Sequence, residues 1–164
     1  NMVQDLYQLA LVVGFNISII DNNPETLTRE RFPLAHELLL GDIVELLQSS
    51  AIDSNTSIVL ISHNHDYDEP ALRAVVNSPA RYIGVLGNKR KVTAYFSKLN
   101  EMGVAEELMN RVYVPVGLDL GGQKTSEIAL AIMAEILAVK YGRPGGFMSI
   151  RSIPREMERH DVYY

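Results

Sequence analysis

The feature that most constrains this chain is a repeated alternation of apolar, strand-like runs with helix-like segments. Residues 57–61 and 82–86 are apolar runs that lack polar alternation, which is typical of strands covered on both faces. Each run is followed by apolar residues at helical spacing, over 69–77 and 89–101. Because parallel strands need such crossover helices, the pattern predicts an α/β fold, a Rossmann-like, right-handed, doubly wound parallel sheet.

The rest of the chain extends the alternation. Helical spacing predicts helices at 3–13, 42–49, 104–110 and 126–141, and apolar runs predict strands at 16–21 and at 112–116, the latter interrupted by Pro115. The stretch through Pro24 and Pro33, before the helix at 42–49, reads as turn-rich. Gly142 and Pro144 end the last helix. We therefore expect one Rossmann-like domain over 1–144 and a carboxy-terminal arm over 145–164.

The beginning of the chain departs from a complete Rossmann-type sheet. Such a sheet opens with a central strand and a glycine-rich turn, whereas this sequence starts at Asn1-Met2-Val3, inside or next to a helix. We expect that the first strand and its turn are missing from this chain. There are two alternatives. Another segment or chain supplies the strand, or the sheet has a different strand order.

Composition excludes several classes of protein. The chain has 164 residues and 47% hydrophobic content, enough to bury a core. With no cysteine it has neither disulfides nor thiolate chemistry of its own. A net charge of −5 argues against a nucleic-acid partner. We see no apolar run long enough to span a membrane and no signal peptide, so we expect no membrane partner, with the cytoplasm as the default location.

The most chemically suggestive segment is the loop between the predicted strand at 57–61 and the helix at 69–77. It places His63, His65, Asp66 and Asp68 within six residues. Imidazole and carboxylate groups bind zinc, manganese or iron and perform acid–base chemistry, but Asp68 is also a good helix N-cap. We favour a metal-free ligand-binding loop over a metal site. A purely structural loop is the third possibility.

Three other segments are candidates for ligand contacts. Asp21 ends an apolar strand, where dinucleotide-binding folds place an acid on a ribose, although Asp-Asn-Asn-Pro also suits a turn. Residues 84–91 place glycines at a strand end and basic residues at the start of the next helix. This arrangement favours phosphate binding. The alternative is a tight turn followed by a solvated helix face. The glycine-rich loop at 117–122 contains Asp119. Two interpretations are open: the loop closes over a ligand, or it only connects two secondary-structure elements.

Four motifs in this order resemble the XdhC/CoxI family: S-H-N-H-x-x-D at 62–68, Y-I-G-V-L-G-N-K-R-K at 82–91, P-V-G-L-D-L-G at 115–121 and E-I-A-L-A-I-M-A-E-I at 127–136. The resemblance covers about residues 3–141 and corresponds to the family's carboxy-terminal Rossmann-like domain. Ser62, Asn64 and Asn88 depart mildly from the family's usual patterns. The family's amino-terminal, cysteine-containing domain and its opening strand–G-x-G-H motif are not seen here.

The resemblance implies an accessory factor, rather than an enzyme, that matures molybdenum hydroxylases such as xanthine dehydrogenase. Such a factor binds the molybdenum cofactor, helps its sulfuration and passes it to the target enzyme. We expect a homodimer whose ligand, the molybdenum cofactor (molybdopterin) or NAD(P), lies at the sheet's carboxyl edge. The alternatives are an NAD(P)- or metal-dependent oxidoreductase and a dimerisation or docking module. The expected cofactor-binding residues are Asp21, His63, His65, Asp68, Gly84, Gly87, Asn88, Lys89, Arg90 and Asp119.

Overall fold

The structure, a computed structural model, describes residues 1–62 and 67–150, with only the backbone of Lys89 and Val92. Helices and strands alternate along this part of the chain. In order they are α1 (Met2–Val12), β1 (Ser18–Asp21), β2 (Glu37–Leu40), α2 (Ile43–Ser49), β3 (Ser57–Leu60), α3 (Asp68–Val75), β4 (Tyr82–Val85), α4 (Lys89–Glu101), α5 (Glu106–Asn110), β5 (Val112–Tyr113) and α6 (Thr125–Lys140).

The strand pairs in the described part of the chain are all parallel, as the sequence predicts. One sheet has the order β3-β4-β5, and its register pairs Leu60 with Val85 and Gly84 with Tyr113. The second sheet consists of β1 and β2, and Asp21 pairs with Leu40. Within residues 1–62 and 67–150, β1 and β3 are not paired with each other.

Helices cover both faces of the larger sheet. Ile58 and Ile83 point into a core cluster that contains residues of α2, α3, α4 and α5. The neighbouring residues Val59 and Tyr82 point the other way, into a cluster with residues of α1 and α6. Since side chains alternate between the faces of a strand, the sheet separates two helical layers. The prediction of a doubly wound α/β fold is confirmed.

The predicted helices at 3–13, 42–49, 89–101 and 126–141 are confirmed to within one residue at each end. Asp42 begins α2 as its N-cap and accepts a hydrogen bond from Glu45 N at 2.9 Å. The predicted strand at 112–116 is shorter, because β5 ends before the cis Val114–Pro115 peptide bond. None of the helices in the described part is long and apolar enough to cross a bilayer.

The prediction of a turn-rich segment up to residue 41 is wrong for Glu37–Leu40, which forms β2. This strand has only four residues and is flanked by Pro33 and Gly41. Its two ends are exposed and its middle is only half-buried. Such a short run carries neither the alternation of a half-exposed strand nor the length of a buried one, so pairing with β1 decides its conformation.

Candidate ligand site at the carboxyl ends of the strands

Three chain segments leave the larger sheet side by side. Leu86 N donates a hydrogen bond to Leu60 O at 3.0 Å, and Val116 N donates to Val85 O at 3.2 Å. The backbone ladder therefore continues just past the assigned ends of β3 and β4. It places the segments starting at residues 61, 86 and 116 at one edge, where ligands bind in open parallel sheets.

The beginning of α4 supplies positive potential to this edge. Asn88 is the N-cap, and its Oδ1 accepts a hydrogen bond from Lys91 N at 3.0 Å. The first turn contains no acid and begins with Lys89, Arg90 and Lys91, of which the Arg90 side chain is exposed. Free N–H groups at a helix start and nearby cations attract anions. A Cβ atom at Gly87 would meet no heavy atom within 4 Å, so a ligand has room to approach.

Gly84 is explained by packing. It is buried in β4, and a Cβ atom there would lie 2.6 Å from both Tyr82 Oη and Val116 Cγ2. The absence of a side chain lets the Tyr82 ring lie along the strand and lets Val116 pack over it. The predicted contact between Gly84 and a ligand stays a prediction, while its packing role follows directly from these distances.

A half-buried carboxylate fixes the loop that carries Asp119. Glu135 of α6 accepts hydrogen bonds at Oε1 from Tyr82 Oη at 2.6 Å and from Gly117 N at 3.1 Å. Leu118 N also donates to Ala131 O at 3.1 Å. The loop is thereby held against α6 at two consecutive residues. Asp119, the next residue, is exposed at the surface of the loop, so its carboxylate is accessible to a ligand.

The surroundings of the Tyr82 side chain raise its pKa. It is 1% exposed, and its ring stacks on Tyr113 with 4.9 Å between the ring centroids. Burial, reinforced by the hydrogen bond to Glu135 and by its charge, raises the pKa of Tyr82 well above the ordinary value. The tyrosine therefore stays protonated and donates its hydrogen bond throughout the physiological range.

Tyr82 and Glu135 are not among the ligand-binding residues that the sequence predicts. A signal for Glu135 was present, because it lies seven residues after Ile128 and so falls on the apolar face of α6. A lone acid on a buried helix face needs a partner. The identity of that partner required the fold, since Tyr82 lies in β4.

Asp68 has a different role from the predicted helix cap, and that prediction is wrong. The helix already includes Asp68, and Tyr67 occupies the cap position without a side-chain hydrogen bond. The Asp68 side chain is buried and accepts a hydrogen bond at Oδ2 from Tyr95 Oη of α4 at 3.2 Å. Its neighbour Glu69 is also buried, and its Oε2 lies 3.4 Å from Lys98 Nζ. The two acids thus connect α3 to α4 across the core.

Asp21 lies at the end of β1, in the smaller sheet, which is not hydrogen-bonded to β3, β4 or β5 within residues 1–62 and 67–150. Its Oδ1 accepts hydrogen bonds from Asn22 N at 2.7 Å and Asn23 N at 3.2 Å, and its Oδ2 accepts one from Thr26 Oγ1 at 2.9 Å. This is the local turn that its sequence also suits. The contact with a ribose stays a prediction.

His63 and His65 lie outside the described residues. Among residues 1–62 and 67–150 there is no group of three histidine, aspartate or glutamate side chains that could hold a metal ion. The structure thus brings together the segments of Gly84, Gly87, Asn88, Lys89, Arg90 and Asp119 at one edge.

Comparison with known proteins identifies relatives over most of the chain. The model of the family described as "XdhC Rossmann domain" matches residues 1–136. The Escherichia coli (strain K12) protein YqeB is 36% identical over 151 residues, which cover 90% of this chain and 27% of YqeB. The molybdenum cofactor insertion chaperone PaoD of the same organism is 29% identical over 99 residues, covering 60% of this chain and 31% of PaoD.

A third relative is a probable xanthine dehydrogenase subunit of Bacillus subtilis (strain 168), 25% identical over 135 residues, with 82% of this chain and 39% of that protein covered. The fold also resembles a crystal structure described as a xanthine dehydrogenase from Bacillus halodurans. The TM-score is 0.75 at 24% identity, and the match covers 95% of this chain and 43% of that one. The matches cover less than half of each of these proteins, from 27% to 43% of their length.

Proposed function

This chain belongs to the XdhC Rossmann-domain family, and from that membership we propose that it is the ligand-binding domain of a maturation factor for molybdenum hydroxylases. The names of two relatives support this, since one is a molybdenum cofactor insertion chaperone and the other is a probable xanthine dehydrogenase subunit. In this proposal the molybdenum cofactor is cargo that the protein receives and passes on. The protein is then an accessory factor and not an enzyme.

The observation that carries the proposal is the basic start of α4 at the sheet edge. An anionic pterin cofactor or nucleotide needs donors for its phosphate. The α4 first turn offers backbone N–H groups, and its sequence begins with the basic residues Lys89 and Arg90. Gly87 leaves space for close approach. The donor set therefore fits an anionic group, and it requires no coordination of the metal by protein side chains.

The remaining predicted residues take secondary roles. Asp119 is next to the loop residues that Glu135 and α6 fix, so it can accept a hydrogen bond from the polar ring of the ligand. His63 and His65 contact the ring or the diphosphate in this proposal. Asp21 binds a ribose only if the ligand is a dinucleotide, and NAD(P) is accordingly the alternative cofactor.

The proposal includes two partners and a location. The target enzyme is a molybdenum hydroxylase of the xanthine dehydrogenase type, and the factor acts as a homodimer in the cytoplasm. The runner-up function is an NAD(P)-dependent oxidoreductase. It differs in one measurable property, because it requires preferential binding of NAD(P) over the pterin cofactor.

Isothermal titration of the chain with molybdopterin cofactor, NAD and CTP under anaerobic conditions tests the proposal. We expect saturable binding of the pterin cofactor. The double variant Lys89→Ala/Arg90→Ala should weaken it at least tenfold, because two charge-assisted contacts to phosphate are lost, each worth roughly 1.5–3 kcal/mol.

The matched control is Arg73→Ala/Lys140→Ala, which removes the same charge at exposed positions in the last turns of α3 and α6. This variant should bind as the wild type does. Equal weakening in both variants would indicate a nonspecific effect of net charge. Failure of the wild type to bind the pterin cofactor would contradict the proposal, and tight binding of NAD alone would favour the oxidoreductase.

A further inference from the structure

An open groove lies between α1 and the amino-terminal half of α6. It has a volume of about 460 Å³, and its lining combines apolar side chains with acids: Leu9, Val12, Leu130, Asp5 and Glu127 are among them. Val12 is 83% exposed and Leu130 is 51% exposed. Adjacent large apolar side chains that remain in water mark an interaction surface more often than isolated ones do.

The residues that follow α6 have the complementary character. Phe147, Met148 and Ile150 are 70%, 98% and 103% exposed, respectively. We call residues 147–150 the tail segment. In the sequence a basic residue stands on either side of it, Arg143 before and Arg151 after. The tail segment is thus apolar with basic flanks, and the groove is apolar with acidic flanks.

We propose that the tail segment of one copy docks in the α1–α6 groove of a second copy, and that the exchange is reciprocal. This inference rests on the homodimer proposed above and assigns its contact surface. The tail segment and the groove of one chain do not cover each other here, since the apolar side chains of both are exposed. In an exchange between two copies related by a two-fold axis, each tail segment covers the groove of the other copy, so two equivalent contacts form.

The contact is small, and we expect a weak dimer. Each of the two equivalent contacts joins three exposed apolar side chains of a tail segment to one open groove, which places the interface below about 1,200 Å², in the range of weak and reversible complexes. Charge favours this pairing over a random one. The chain carries a net charge of −5, so two copies repel each other unless basic and acidic patches are placed opposite one another.

Analytical ultracentrifugation of the full chain, over a concentration series into the high micromolar range, tests the inference. We expect a reversible dimer. Phe147→Asp/Met148→Asp in the tail segment and Leu130→Asp in the groove should each raise the dimer dissociation constant at least tenfold. Leu34→Asp is the control, because Leu34 is 71% exposed and belongs to neither surface, and its dimer should match that of the wild type.

A mixing experiment separates this exchange from any other dimer. The tail variant retains an intact groove, and the groove variant retains an intact tail segment. An equimolar mixture therefore forms a heterodimer with one intact contact, which is tighter than either variant alone and weaker than the wild type. A wild-type monomer at every concentration would overturn the inference, as would a dimer that neither variant weakens or a mixture no tighter than its components. Cofactor titration is independent of these outcomes, so it tests the proposed function separately.

Discussion

The two sheets of this protein are both parallel, yet they are buried to very different degrees. Every residue of β4 in the three-stranded sheet is buried, and Ile83 is fully inaccessible. In the two-stranded sheet no residue of β1 or β2 reaches that level. The larger sheet has helices on both faces. The smaller sheet packs Ile19 and Leu38 against a small cluster around Tyr7, Phe32 and Ala35, and Ile20 against the larger core cluster.

This difference bears on where a ligand can be held firmly. Residues 86–90 and 116–119 continue from strands of the deeply buried sheet, and Glu135 ties Gly117 to α6. Asp21 instead continues from the less buried sheet, and its carboxylate is occupied by its own turn. A binding group is placed more precisely by a packed element than by a marginal one. We therefore expect the proposed phosphate contacts at the start of α4 to be better preorganised than the proposed ribose contact of Asp21.

The largest expected effect comes from removing a core side chain in each sheet. Ile83→Ala in β4 should lower the free energy of unfolding by about 3–5 kcal/mol, because it leaves a cavity in a fully buried position. Leu38→Ala in β2 should cost roughly 1–2 kcal/mol, since Leu38 is only half-buried. Urea denaturation of both variants measures the two losses. Equal losses would contradict the contrast between the sheets.

A smaller effect is expected at the close approach within β4. Gly84→Ala should destabilise the protein by about 1–3 kcal/mol, because the new methyl group would overlap Tyr82 Oη and Val116 Cγ2, each 2.6 Å away. Gly146→Ala is the control, as a Cβ atom there meets nothing within 4 Å. Thermal unfolding of both variants is the measurement. A neutral Gly84→Ala would mean that the Tyr82 ring is free to move aside.

The sequence was sufficient for the helices and for the overall α/β architecture, because apolar spacing over 11–16 residues in α1, α4 and α6 is a strong local signal. It was not sufficient for β2, a four-residue strand that depends on pairing with β1. At the site, the basic start of α4 was readable because its residues are adjacent in sequence. The contacts of Glu135 with Tyr82 and Gly117, and of Asp68 with Tyr95, span 18 to 53 residues. No local pattern specifies such partners.

The smallest expected effect concerns the Tyr82 hydroxyl. Tyr82→Phe keeps the ring, its stacking on Tyr113 and the space above Gly84, but removes the donor to Glu135. At neutral pH we expect a loss of about 1–2 kcal/mol, because a hydrogen bond to a carboxylate is lost while Glu135 keeps its bond from Gly117 N. Tyr141→Phe, at an exposed tyrosine, is the control in the same urea denaturation and should be close to neutral.

The same variant tests the pH dependence, and the sign follows from linkage. In the folded protein the pKa of Tyr82 is raised well above the ordinary value near 10 that applies in the unfolded chain. Above about pH 10 the unfolded chain therefore releases a proton that the folded protein retains, so stability falls as the pH rises, by at most about 1.4 kcal/mol per pH unit for this one group. Tyr82→Phe removes this term, and its stability should decline less steeply than that of the wild type between pH 9 and about pH 11. Because the raised pKa depends on burial in the three-stranded sheet, identical slopes for the two proteins would show that this sheet opens to water at Tyr82. In that case the region around Tyr82 and Glu135 would be no better protected from water than the two-stranded sheet.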